Sequence, residues 1–352
     1  MKRKPTINDV ARVAEVSNMT VSRVVNGRPN VTEDTRRKVL DAMQALGYRP
    51  NAVAQSMRSD RTRTIGLLLP DISNATNGSV ARVVSDRLRE MGYRFLLGST
   101  GFNVEVELDY LKDFQSGVVD GMILFLANDQ DPRTRAALSD ISVPAVLVDR
   151  SPGIAMDRVL SEHTHAMTEA VEHLIAHGHR KIGIIMSPNS MRPGRKRTEA
   201  FLETMRRHGL PVDPAHVVDT RQTVEDGYAA AIRMLTGDRP TALIVGANQQ
   251  VFGAVQAVRE LRLRIPDDLS LLGADESQAS ALIQPPLTMI ERDMEAIGEA
   301  AISTLLARLE TPAAPLQTMT LPSILTCRAS CGPPPLTGSV PAGTITKGSP
   351  SQ

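Results

Sequence analysis

The chain has 352 residues, 41% of them hydrophobic and 3% aromatic, with a net charge of +1 at neutral pH and two cysteines, Cys327 and Cys331. That length is enough for a large core. Two thiols are too few for a disulfide framework or a thiolate metal centre, so free cysteines in a reducing compartment are expected. MKRKPT at the start carries no apolar signal core, and no later run approaches the roughly 20 apolar residues that cross a bilayer. A cytoplasmic chain without membrane contact is therefore expected. Charge is uneven: residues 1–63 hold 13 Lys or Arg against 6 Asp or Glu, a net of +7, and the remainder carries −6. A basic end of this kind is suited to phosphate.

Thr6 can cap a first helix, with Asp9 at the capping-box position, and Ile7, Val10, Ala11 and Ala14 recur at i, i+3, i+4 and i+7. Glu15 and Val16 break the pattern, Ser17 offers a second N-cap and Gly27 a left-handed stop, which predicts a second helix over 18–26. On it Asn18, Met19, Ser22, Arg23 and Asn26 share an arc of roughly 140°, opposite Thr20, Val21, Val24 and Val25. Asn can make paired hydrogen bonds to adenine and Arg to guanine, and a major groove admits one helix. Thr32 caps a third helix with Glu33 and Asp34 in its first turn, an inner face of Val39, Met43 and Leu46, and Gly47 as its end. After Tyr48, Arg49 and Pro50, residues 51–57 favour a helix of only about two turns, too short to hold alone.

From Thr64 short apolar runs at 65–69, 95–98, 121–126, 145–148, 182–186, 242–245 and 269–273 alternate with helix-like segments such as 79–91, 164–176, 196–208 and 251–261. This pattern predicts α/β structure with parallel strands covered on both faces, in two sheets. Ligands of open α/β sheets bind beyond the carboxyl ends of strands. That rule selects residues 71–74, Asp149, Arg150, the loop before Arg197, Asn248 and Asp275. Five of the seven histidines lie between His163 and His179, and His173 and His177 have a spacing that can hold zinc, yet no HExxH is present. No metal and no cofactor are expected. The absence of GxSxG, GxGxxG and GxxxxGK[ST] argues against an enzyme. From Gly332 the chain is rich in Pro, Gly, Ser and Thr, and reads as disordered.

TINDVARVAEVSNMTVSRVVNG from Thr6, VTEDTRRKVLDAMQALGYRPNAVAQSM from Val31 and TIGLLLPDISN from Thr64 resemble the lactose-repressor (LacI/GalR) family of bacterial transcription regulators. The similarity continues through VDR at 148–150, HLIAHGHRKI from His173, RKRTEAF from Arg195, LLGADE from Leu271 and PPLTMIERD from Pro285. It implies a three-helix helix-turn-helix head over 1–49 and a hinge helix and linker over 50–63. Residues 64–331 become a two-lobed, periplasmic-binding-protein-like effector-binding and dimerisation domain of doubly wound parallel sheets, crossed three times by the chain, before a disordered tail over 332–352. The family's base-reading positions fall on Asn18, Met19 and Arg23. Met19 offers no donor or acceptor and suits a thymine methyl. Thr6, Ser17, Thr20, Ser22 and Asn26 complete the expected DNA contacts of the head. Asn51, Ala54 and Met57 supply those of the hinge, where Met57 replaces the usual leucine wedge in the minor groove.

In the cleft, the resemblance places Arg197 and Asp275 on ligand-contacting positions and Asn248 on a position that is commonly aspartate, with Asn74, Asp149, Arg150 and Gln222 beside them. The chain departs from the family at Ser73-Asn74-Ala75-Thr76-Asn77, where two aromatics are usual, and at Gln222, where a stacking ring is usual. With Arg150 and Arg197 retained and Arg221 nearby, a small anionic effector such as a sugar acid is expected. A neutral sugar or a nucleoside or purine is the alternative, as is a regulator that needs a co-repressor. The partners implied are a palindromic double-stranded DNA operator and a second copy of the chain, with tetramers as a further option. Effector binding is expected to close the cleft and shift one lobe against the other.

Overall fold

The computed structural model describes residues 5–25, 31–48, 61–275 and 280–335. The expectations placed on Asn26, Gly27, Asn51, Ala54, Met57 and most of the tail lie outside these residues. The chain divides into two compact units, Met1–Arg63 and Thr64–Gln352.

The first unit contains α1 (Ile7–Val13), α2 (Asn18–Val25) and α3 (Glu33–Leu46). Thr6 Oγ1 accepts from the Asp9 amide at 3.4 Å while the Asp9 carboxylate accepts from the Thr6 amide at 2.8 Å, so both halves of the capping box are made. Glu15 takes a positive φ of 55° between α1 and α2, and the Ser17 hydroxyl accepts from the Thr20 amide at 3.1 Å to start α2. Thr32 caps α3, and Gly47 ends it at φ 61°, a conformation that favours glycine. Val10, Val21 and Val39, one from each helix, are fully buried together with Ala11, Ala14, Val24 and Ala42.

The second unit holds twelve described strands: β1 (Thr64–Leu69), β2 (Arg94–Ser99), β3 (Gly121–Leu124), β4 (Ala145–Val148), β5 (Asp157–Ser161), β6 (Ile182–Met186), β7 (Val217–Asp219), β8 (Ala242–Val245), β9 (Ser270–Ala274), β10 (Thr288–Arg292), β11 (Thr318–Leu321) and β12 (Ser323–Thr326). One sheet has the order β11-β5-β4-β3-β1-β2 and the other β12-β10-β9-β8-β6-β7. Pairings are parallel except that of β10 with β12. The helices are α4 (Ala75–Glu90), α5 (Val104–Asp113), α6 (Pro132–Ser139), α7 (Thr164–Ala176), α8 (Arg192–Arg207), α9 (Val224–Thr236), α10 (Asn248–Glu260) and α11 (Met294–Glu310). Central strands such as β1, β3, β8 and β9 are buried throughout, as strands covered on both faces must be. The chain passes from the first lobe to the second after β5, returns after β10 to lay α11 on the first core, and leaves again between β11 and β12. Two sheets and three crossings agree with the sequence reading.

Two boundaries differ. The helix expected over 196–208 begins at Arg192, because Pro193 fits the first turn of a helix and Gly194 lets that turn press on residues 187–188, where an added Cβ would lie 2.1 Å from the Ser187 carbonyl oxygen. Arg197 therefore stands in the second turn of α8, not at the end of a loop. The second is at Gly332, where a disordered tail is expected to start and the described residues continue to 335. Gly332 is buried, its amide donating to Ser270 Oγ at 3.0 Å and its carbonyl accepting from His179 Nε2 at 2.9 Å. Among the described residues no helix is long and apolar enough to cross a membrane.

Candidate functional site

The outer face of α2 carries Asn18, Met19 and Arg23 into solvent, with Met19 65% exposed, while Val21 and Val24 point into the core. Asn18 Nδ2 donates to Asn8 Oδ1 at 2.7 Å, which steadies one end of the face. Ser22 is half-buried beside it. Three candidates have local work instead. Thr6 is engaged in the α1 capping box, and the hydroxyls of Ser17 and Thr20 bond each other at 2.9 Å as Ser17 caps α2. Among the described candidates, Asn18, Met19 and Arg23 are the exposed α2 side chains that make no helix cap.

The cleft between the two sheets is lined by buried charge. Asp149, just past β4 at φ 54°, accepts from His163 Nε2 at 2.9 Å, Arg192 Nη1 at 2.8 Å, Arg292 Nη1 at 2.8 Å and the Ser161 amide at 3.1 Å. Burial alone would raise its pKa, but His163, Arg292 and Arg192 hold it well below the usual carboxylate range. Asp275, just past β9 at φ 64°, receives both Nη atoms of Arg197 at 2.7 and 3.0 Å and Arg292 Nε at 2.7 Å. Its pKa too is driven far down, against burial, by Arg197 and Arg292. Arg292 therefore ties Asp149 of the first lobe to Asp275 of the second. Burial presses His163 down to about 4, so its ring is neutral, with Nε2 donating to Asp149 and Nδ1 buried without a partner among the described residues.

Around this pair the lobes are cross-linked further. Arg195 reaches Asp129 at 3.2 and 3.3 Å, the Asp129 amide donates to the Ser190 carbonyl at 3.1 Å, and Asn74 and Asn248 exchange two amide hydrogen bonds of 3.0 Å each. Arg150 is buried, donating from Nε to the Leu126 carbonyl at 2.6 Å and from Nη1 to that of Asp149 at 3.0 Å; no carboxylate among the described residues lies within ion-pair distance of it. Glu107, behind Ala127, is fully buried with its pKa raised by burial.

Of the seven candidate cleft residues, the structure joins Asp149, Arg150, Arg197 and Asp275 in one network and pairs Asn74 with Asn248. Gln222 is half-buried and donates to Ser187 Oγ at 2.9 Å. Arg221, expected nearby as a cleft cation, is exposed and paired with Asp226 at 2.8 Å, because α9 starts three residues later and brings its first-turn acid alongside. Sequence reasoning missed Asp129, His163, Arg192, Arg195 and Arg292. Arg292 was within reach, since it ends β10 and the strand-end rule that found Asp149 selects it equally. Among the described residues no group of three or more His, Cys, Asp or Glu is placed to hold a metal. His173 and His177 instead lie ring to ring at 4.5 Å, with His173 against Cys327.

Residues 6–51 match the bacterial regulatory proteins of the lacI family, and residues 171–331 match a periplasmic binding protein-like domain. The chain is 34% identical to catabolite control protein A of Priestia megaterium over 85% of its own length and 91% of that protein's. It is 32% identical to the transcriptional repressor PurR of Pasteurella multocida, over 86% and 92%. A crystal structure of the lac repressor dimer bound to operator and the anti-inducer ONPF superposes with a TM-score of 0.83 at 29% identity, over 94% of this chain and all of that one. These relatives are regulators and not enzymes. A capped helix pair with an outward polar face, followed by two parallel sheets around a charged cleft, together with this similarity along most of the chain, places the protein in the lacI family of DNA-binding bacterial transcription regulators.

Proposed function

We propose that the protein is a dimeric repressor that reads an inverted-repeat operator with Asn18, Met19 and Arg23 and is switched by a sugar acid or a similar small carboxylate in the cleft. The observation that carries the effector reading is the charge of that cleft. The guanidiniums of Arg150, Arg192, Arg195, Arg197 and Arg292 face the carboxylates of Asp129, Asp149 and Asp275, with Glu107 pushed towards its neutral form. A buried cation short of a counter-ion is costly, and a carboxylate accepts from guanidinium in a two-point geometry that a neutral sugar lacks. Arg150 has backbone carbonyls as its oxygen partners and is the residue best suited to gain from an anion.

The dimer reading draws on an exposed apolar surface where α10 meets residues 282–285. Leu282 is 80% exposed, beside a groove lined by Phe252, Val255 and Ile283. Such a patch is suited to a matching copy of itself, and the related lac repressor crystallises as a dimer on operator.

A purine is the second reading, favoured by the similarity to PurR proteins. The one ring among the polar residues named in the cleft, His163, is buried against Asp149 and offers no open face on which a base would stack. Calorimetry with sugar acids, neutral sugars and purines separates these readings: heat with acids alone is expected, and tight binding of a neutral sugar or purine without response to acids would overturn the effector assignment. Selection from random duplexes should recover an inverted repeat, and indifference to every duplex at low salt would overturn the DNA reading.

A further inference from the structure

Two of the cross-links between the lobes are carboxylates of the first lobe held by guanidiniums on the first turn of α8 in the second. Arg192 grips Asp149 at 2.8 Å, and Arg195 holds Asp129 at 3.2 and 3.3 Å. The Asp129 pair is the looser of the two, and the Arg195 side chain is 24% exposed whereas Asp129 is fully buried. Asp129 also accepts from the Ser151 amide at 2.8 Å, and its charge acts on Arg150. It can therefore surrender Arg195 and still keep a donor and a neighbouring cation. An acid entering the cleft carries the same functional group as Asp129.

We propose that Asp129 is an internal competitor for the effector at Arg195, so that a carboxylate ligand binds by exchange, displacing Asp129 from the guanidinium and releasing the contact between residues 129 and 190. This rests on the sugar-acid reading of the cleft. Arg195 then selects for a second acidic group on the ligand, since Arg150 and Arg195 approach Asp129 from the two lobes. The sign of the motion follows. The effector loosens this edge of the cleft, in contrast to the closure expected from the sequence.

The test titrates the full chain with galactarate, a sugar diacid, with the monoacid gluconate and with neutral glucose, and follows amide exchange over residues 126–131 and 149–151. Removing a competitor strengthens the ligand it competes with, so Asp129→Asn is expected to bind galactarate about fivefold or more tightly than the natural chain. In the natural chain, saturating galactarate is expected to speed exchange of the Asp129 amide, which loses the Ser190 carbonyl, while the Ser151 amide, still bonded to Asp129, keeps its protection. Equal or weaker galactarate binding by a folded Asp129→Asn chain, or unchanged or slower exchange at the Asp129 amide, overturns the exchange while leaving an acid effector in place. Binding of glucose with no response to either acid overturns both, as does binding of none of the three. Should Asp129→Asn fail to fold, Arg195→Gln carries the test from the exposed side. Weaker galactarate binding with gluconate little changed, and fast Asp129 exchange before any ligand is added, are expected; unchanged galactarate affinity overturns the proposal.

Discussion

The head and the cleft use the same residue types in opposite ways. On α2 the polar side chains of Asn18 and Arg23 stand in solvent over a small core of valines and alanines, and none of the core depends on them. In the cleft, Arg197, Asp275 and Asp149 are buried and are held together through the half-buried Arg292, with Arg197 Nε left without a partner among the described residues. The contrast teaches that a site which must meet an external partner can be held open by a fold that does not need it, whereas a site made of buried charge is part of the fold. Substitutions in the head should change recognition and spare stability. Those in the cleft should reach stability first.

The largest expected effect breaks the cleft at its centre. Asp275→Asn leaves Arg197, 1% exposed, without its bidentate partner. Removing one member of a buried pair costs about 3–5 kcal/mol because the other charge stays buried, so the denaturant midpoint of the second unit should fall sharply. A change near zero would mean that Arg197 reaches solvent in solution. Next comes pH. His163 is held down to about 4 by burial, against 6.5 for an unperturbed ring. The unfolded chain thus takes up a proton below about pH 6.5 that the folded chain refuses, and stability falls from there to about pH 4, by on the order of 3 kcal/mol. Asp149 and Asp275 titrate low, so their contribution is intact above about pH 4 and is lost only below it. Acid unfolding should therefore show two limbs, and His163→Gln should reduce the upper one, to which half-buried His173 and buried His179 also contribute in the same direction.

In the head the expected effect is smaller and of another kind. Arg23→Ala should cost about 1–3 kcal/mol of specific binding and relax preference at one base pair, read by fluorescence anisotropy against the selected operator and a scrambled duplex. The thermal stability of the head should hardly move, since Arg23 is exposed. An unchanged operator preference would remove Arg23 from the reading face.

How much of this was legible in the sequence follows the same division. Helix starts at Thr6, Ser17 and Thr32, the stop at Gly47 and the buried valines all come from spacing and capping chemistry, which act within a few residues. The alternation of apolar runs and helices gave both sheets. Pairing in the cleft did not come through, because Arg292 meets Asp149 across 143 positions and Arg195 meets Asp129 across 66. No local pattern records such a meeting. Pro193 and Gly194 hid Arg192 and Arg195 by reading as a loop where the chain starts a helix.

Thr6 offers the finest test of the division, since it was expected to touch DNA and is found in a capping box. Its hydroxyl donates to Asp9 Oδ2 at 2.7 Å and accepts from the Asp9 amide, leaving little for a phosphate. If the cap is its whole contribution, Thr6→Ala should lower the local stability of α1 by about 1 kcal/mol, visible as faster amide exchange at Asp9 and Val10 in the full chain. Thr6→Ser, which keeps the oxygen, should restore it. Operator preference should be the same in all three chains, because a cap positions the helix pair without touching a base. A loss of affinity in Thr6→Ala that exceeds the loss of α1 stability would move Thr6 from the scaffold to the reading face, and the separation between the two would then have to be drawn one residue at a time.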